Sequence, residues 1–188
     1  MAVKYPQPFN LGAGFELADL QSRPDITVNS PATDILLDFR IHPALTVPAK
    51  MQLKEAQHAL ANSHSSLLLV VDDKGHFCGV VMECSLSEQA IMQQVSAGRR
   101  RSDMQVKDLM VPRNLILAVD YSEFCRSTAG KLVALLKTEA VPYMMVVNTN
   151  SREIVGVITA AELAKIFNMD LTIEHHPSFI EIFDAVMH

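Results

Sequence analysis

The stretch Leu67-Leu68-Leu69-Val70-Val71-Asp72-Asp73-Lys74-Gly75-His76-Phe77-Cys78-Gly79-Val80-Val81 reads as a strand, a turn and a second strand. The same plan returns at Met144-Met145-Val146-Val147-Asn148-Thr149-Asn150-Ser151, followed by Ile154-Val155-Gly156-Val157-Ile158. The strands superpose with an offset of 76 residues (Val71 to Val147) and the glycines with an offset of 77 (Gly79 to Gly156). The second turn is therefore one residue longer. Both turns are rich in Asp, Asn, Gly and Ser, which tolerate tight-turn dihedrals. Self-similarity at a fixed period marks a chain built from copies of one supersecondary unit.

Working outward, an amphipathic stretch precedes each hairpin. Leu53, Ala56, Leu60 and Ala61 in the first copy, and Leu132, Leu135 and Leu136 in the second, share one helical face. A second helix follows each hairpin, with Leu86, Ala90, Ile91 and Val95 inward in copy one and Leu163, Ile166 and Phe167 in copy two. A short strand opens each unit, near Leu45–Val47 and near Leu115–Val119. Each unit is thus β-α-β-β-α, and the fold class is α/β (α+β). Neither unit can bury both faces of its sheet alone, so the two are expected to pack as a pseudo-twofold pair.

The expected divisions are an N-terminal extension (1–35), unit one (36–98), a linker (99–113), unit two (114–168) and a C-terminal tail (169–188). The extension holds four of the nine prolines and has little periodicity. The linker ends at Met110-Val111-Pro112, where proline disfavours helix in the residue before it. The tail carries Phe179, Ile182, Phe183 and Val186 at helical spacing and is expected to dock on the module or on a second subunit.

Composition narrows the function classes. Of 188 residues, 49% are hydrophobic and 20% charged, as in folded globular chains. The apolar run Leu67–Val71 is far short of the roughly 20 residues a bilayer span needs. Residues 1–14 show no apolar core of a secretory signal. No membrane association is expected, and the location is expected to be cytoplasmic. Cys78, Cys84 and Cys125 form no CxxC pair and fit a reducing compartment. A net charge of −5 argues against a general grip on nucleic acid. The run Arg99-Arg100-Arg101 is a local exception, read as capping a helix C-terminus or facing solvent. No G-x-S-x-G, H-E-x-x-H or Walker-type loop is present, so no catalytic residue is nominated and the chain is not expected to be an enzyme. His175-His176 are adjacent and diverge in direction on helix or strand, so no metal site is nominated.

Three segments resemble a known family. Val106-Lys107-Asp108-Leu109-Met110 is similar to the segment that precedes a CBS domain (named for cystathionine β-synthase). Ala140-Val141-Pro142-Tyr143-Met144-Met145-Val146-Val147 resembles the family's hydrophobic-Pro strand. Gly156-Val157-Ile158-Thr159-Ala160-Ala161-Glu162-Leu163 resembles its G-h-h-T-x-x-D-h signature. The resemblance spans about residues 36–168 and implies a tandem CBS-domain (Bateman) module.

The resemblance implies a regulatory module binding an adenosine-containing ligand such as AMP, ADP, ATP or S-adenosylmethionine, with no cofactor required. The signature threonine that contacts phosphate falls on Thr159, and the carboxylate that holds the ribose hydroxyls falls on Glu162. Val141, Pro142 and Tyr143, with Leu117 from the opening strand, would line the base. Glu162 is one methylene longer than the family's aspartate. In copy one, Met82 and Ser85 replace the hydroxyl and the carboxylate, so that site is expected to be dead. Thr159-Ala160-Ala161-Glu162 also matches a helix capping box, which alone would account for both residues. The resemblance further implies a homodimer, with output delivered to a protein partner in trans. The other reading is a dimeric interaction scaffold whose ligand sites have decayed.

Overall fold

The structure, a computed structural model, describes residues 26–63 and 65–167. The helical tail expected at 169–188 and the His175-His176 pair lie outside the described residues. The element order is β1 (Leu37–Asp38), β2 (Thr46–Pro48), α1 (Leu53–Ala61), β3 (Leu67–Val71), β4 (Phe77–Met82), α2 (Glu88–Ser96), β5 (Val111–Pro112), β6 (Ala118–Asp120), α3 (Tyr121–Cys125), α4 (Ala129–Thr138), β7 (Tyr143–Asn148), β8 (Glu153–Thr159) and α5 (Ala160–Ile166). The two β-α-β-β-α units are present, and unit two has an additional single-turn helix, α3.

The strands form two sheets, ordered β2-β3-β4-β5 and β1-β8-β7-β6. In each, the opening strand runs parallel to the first hairpin strand, and the hairpin itself is antiparallel. Both hairpins carry an irregularity at the same place, between Val70 and Val71 and between Val146 and Val147. The turns differ as their lengths require. Asp72 Oδ1 accepts the N–H groups of Lys74 and His76 at 2.8 Å, with Gly75 at φ 81. Asn148 Oδ1 accepts from Asn150 and Ser151, and Arg152 takes the positive-φ position at 59.

The uninterrupted apolar runs of the hairpins follow from burial on both faces. Leu68, Val70 and Val81 join α1 and α2 in one core. Met144, Val146 and Ile158 join α4 and α5 in another. The alternate residues meet between the sheets: Leu67, Leu69 and Val80 from unit one against Tyr143, Met145 and Val157 from unit two. Because successive strand residues point to opposite faces, one strand serves both cores. The pairing of the two units is thus a consequence of strand composition.

The lead-in segments cross over. Ala32 (0% exposed) and Ile35 (4%) were read from sequence as part of an N-terminal arm, yet they pack in the core of unit two with Phe124. β1 then pairs with β8. Reciprocally Met104 and Val106, read as linker, sit in the core of unit one, and β5 pairs with β4. The isolated bridges Pro31–Thr128 and Gln52–Gln105 fasten the two crossings. The Thr128 side chain makes no cap bond to α4. Its first N–H groups are satisfied by the lead-in backbone instead: Ala129 donates to the Ser30 carbonyl at 2.9 Å and Gly130 to that of Val28 at 2.8 Å. Arg40, just past β1, closes the crossing with a bidentate pair to Asp38, a hydrogen bond of 3.0 Å to the Tyr121 hydroxyl, and its guanidinium 4.8 Å from the Tyr121 ring centre.

Candidate functional site

Unit two's sheet gathers the nominated residues at one end. β8 finishes at Thr159, whose Cα partner on β7 is Tyr143, the first residue of that strand. The Ala160 N–H donates to the Pro142 carbonyl at 2.8 Å, and the Met145 N–H donates to the Leu117 carbonyl at 3.0 Å. Thr159 ends β8, Tyr143 starts β7, Val141 and Pro142 come just before β7 and Leu117 just before β6, with Glu162 in the first turn of α5.

Local chemistry explains each position. Thr159 is 7% exposed and in extended conformation, and its Oγ1 accepts the Glu162 N–H at 3.1 Å. It is the N-cap of α5. Its own O–H remains able to donate, because a hydroxyl is both donor and acceptor. The reciprocal half of a capping box is not formed. The Glu162 carboxylate instead faces outward, 3.4 Å from Lys165 Nζ. Leu117 is 40% exposed. Val141 and Pro142 are half-buried, held where α4 ends. That end has Ala140 in the left-handed region at φ 51, with Val141 N–H returning to the Leu136 carbonyl at 3.1 Å.

Tyr143 is different. It is 6% exposed and belongs to the core between the two sheets. Burial, with the Cys84 thiol of unit one nearby, pushes its phenol well above the ordinary tyrosine range. The phenol stays neutral and packs across the pair.

Unit one departs from this arrangement. β4 ends at Met82, which packs against the core between the sheets. A 3-10 turn, Cys84–Leu86, then intervenes before α2. The helix cap passes downstream to Ser87, whose Oγ accepts the Ala90 N–H at 3.2 Å. Met82 and Ser85 thus lack both the side chains and the strand-to-helix junction of Thr159 and Glu162.

Two concavities stand out, and neither is lined by the six nominated residues. An open groove of about 670 Å³ runs between Ser63, Ser65, Ser66 and Glu83 of unit one and Ala161 and Lys165 of α5. A smaller cavity of about 390 Å³ is lined by Lys54, Ile91 and Arg101 among others. The groove was missed from sequence; the signal left unread is Ser65-Ser66 before β3, at the repeat position of Val141-Pro142. The smaller cavity gave none, because its walls come from three separated segments.

Asp120 is a structural organiser that the sequence did not reveal. Its carboxylate accepts from the Ser122 hydroxyl (2.5 Å) and amide (2.8 Å), and from the Thr149 hydroxyl (2.6 Å) and amide (3.2 Å). These bonds, those to Ser122 foremost, hold it far below the usual carboxylate range. It caps α3 and ties β6 to the second hairpin turn.

Among the described residues, no helix is long and apolar enough to cross a membrane. The sequence profile of the CBS domain matches residues 34–88, from the end of the lead-in through unit one to the start of α2. Among curated proteins none matches the chain. Solved structures share the fold over both units. An uncharacterized conserved protein from Pyrococcus horikoshii aligns with TM-score 0.56 and 15% identity over 78% of this chain and 98% of its own. A CBS-domain containing protein from Agrobacterium tumefaciens aligns with TM-score 0.55 and 17% identity over 74% and 94%. CBSX2, solved in complex with AMP, aligns with TM-score 0.50 and 19% identity over 72% and 94%. The profile identifies a CBS domain in unit one, and the two units together have the fold seen in solved CBS-domain proteins.

Proposed function

We propose that this chain is a non-catalytic regulatory module that senses an adenosine-containing nucleotide at the end of the unit-two sheet. Packing would carry the signal to a protein partner in trans. The observation that carries this reading is the convergence of Thr159, Glu162, Val141, Pro142 and Leu117 on one sheet end, at the positions where the family signature places ligand contacts. The Thr159 hydroxyl keeps a proton to donate to a phosphate oxygen, and the exposed Glu162 carboxylate can accept from both ribose hydroxyls at once. That a structure of similar fold holds AMP supports an adenosine ligand, whether AMP, ADP, ATP or S-adenosylmethionine. No cofactor is required in this reading, the module works in the cytoplasm as a homodimer, and a ligand acts by binding one arrangement of the units better than another.

Two observations favour a second reading, a dimeric interaction scaffold with decayed ligand sites. Tyr143 is committed to the core between the sheets, and unit one has lost the Thr159-type junction altogether. Thermal melting with each of the four ligands separates the two. A ligand at about 100 times its dissociation constant stabilises by about 2.7 kcal/mol, which for a chain of this size is roughly 5 to 11 °C. Such a shift with one adenosine ligand, lost in the Thr159→Val/Glu162→Ala double variant, supports the sensor. No shift with any of the four rejects it in favour of the scaffold.

A further inference from the structure

The triple arginine after α2 is the motif that the nucleotide reading leaves unused. In the structure its members are not equivalent. Arg99 pairs with Asp108. Arg101 forms a two-pronged pair with Glu88, through Nη1 at 2.7 Å and Nη2 at 2.5 Å. That pair uses two of the five guanidinium N–H donors and fixes the plane of the group, leaving three donors for another acceptor.

Arg101 forms part of the wall of the cavity of about 390 Å³ between α1, α2 and the segment that joins the units. Its floor is apolar, made by Leu53 (5% exposed) and Ile91 (1%). Its ionised lining groups are Lys54 and Arg101, both cationic, with the Ser102 hydroxyl beside them. The Glu88 carboxylate offsets Arg101, so Lys54 is the cation that leaves this lining positive on a chain whose net charge is −5. Lys54 has no ion-pair partner among the described residues. Gln52 precedes α1 and its N–H donates to the Glu55 carboxylate at 3.4 Å. The volume falls at the small end of ligand-sized cavities, which combine an apolar body with a few placed polar groups.

We infer that this cavity is a second binding site, for a small molecule with an anionic head on an apolar body. The head sits between Lys54 and Arg101, and the body rests on Leu53 and Ile91. Glu88, 66% exposed, acts as a positioning residue that orients Arg101. The site shares no residue with the Thr159 cluster and stands whether or not that cluster binds a nucleotide. Because Arg101 and Ser102 precede Met104 and Val106, which are pinned in the unit-one core, a ligand here fastens the start of the connecting segment to α1.

The test is a titration of the full chain with phenyl phosphate, with inorganic phosphate and benzylamine as comparison probes, read by amide shifts in heteronuclear NMR. Phenyl phosphate is expected to give saturable shifts at Leu53, Lys54 and Ser102 and to bind more tightly than inorganic phosphate. Lys54→Ala and Arg101→Gln are each expected to weaken it about tenfold, the scale of one charge-assisted hydrogen bond. Both side chains are exposed, so each variant should melt close to wild type, and either one alone suffices for the comparison. Absence of saturable shifts at these amides in the millimolar range overturns the site. So does equal binding of benzylamine, or wild-type affinity in both variants.

Discussion

A Cβ placed on Gly156 would lie 2.4 Å from the carbonyl oxygen of Leu37, an approach that only glycine permits. Gly79 stands in the same relation to Val111, with its carbonyl oxygen 2.5 Å from the would-be carbon. The two repeat glycines are therefore the seats on which the crossed lead-in strands rest. In each case the obstacle is backbone, which cannot swing aside as a side chain would.

Gly156→Ala should consequently displace β1 from β8. Overpacking of this kind costs about 1–3 kcal/mol, or roughly 2–12 °C in Tm. Thermal unfolding of the variant checks this, and a melt indistinguishable from wild type would contradict the close approach.

The crossing makes a second, less intuitive prediction. Ile35→Ala alters a residue near the start of unit one, but the core it damages is that of unit two. The cost should be about 2–5 kcal/mol. Hydrogen exchange should show protection lost first in β7 and β8, with β3 and β4 less affected. Equal loss in both hairpins, or loss confined to β3 and β4, would count against the assignment.

Thr159 is the cap of α5, and the proposed phosphate contact can be separated from that duty. Removing the cap with Thr159→Val should destabilise the chain by about 0.5–2 kcal/mol without any ligand. Thr159→Ser should keep the cap. If the residue also meets a phosphate, the serine variant retains an AMP-induced melting shift and the valine variant loses it. Identical AMP responses in the two variants would leave Thr159 as a cap alone.

Asp120 predicts a pH dependence with a definite sign. Its folded-state pKa is depressed by the bonds from Ser122 and Thr149. At low pH the unfolded chain therefore binds a proton that the folded chain resists. The contribution is present above the unfolded value of about 3.9 and is lost as the pH falls further, toward the folded value. The stability gap between wild type and Asp120→Ala, measured by urea unfolding, should be larger at neutral pH than in strong acid. A gap independent of pH would refute the carboxylate's role.

Ala140 offers a stabilising change. It ends α4 at φ 51, where a side chain is strained. Ala140→Gly should relieve roughly 1 kcal/mol, seen as a small rise in Tm. A fall in Tm would mean that the methyl group's packing outweighs the strain.

The sequence by itself determined the repeat, the hairpins and the pairing of the two units. Runs such as Leu67–Val71 and Tyr143–Val147 are apolar at every position, so both faces of each strand require cover, and only a second copy supplies it. The duplicated turn chemistry and the Thr159–Glu162 spacing were equally legible, because they are local. What only the tertiary structure decided depends on contacts between segments far apart in the chain. Ala32 and Ile35 belong to unit two, and Met104 and Val106 to unit one, through two-residue strands too short to leave a periodic trace. Tyr143 was placed between the sheets by the alternation of β7 against unit one. The Lys54–Arg101 cavity exists because α1 and the segment after α2 are brought side by side. Neighbouring residues in the chain constrain hydrogen bonding and periodicity, whereas partners about 90 residues apart, such as Ile35 and Phe124, are chosen only when the cores close.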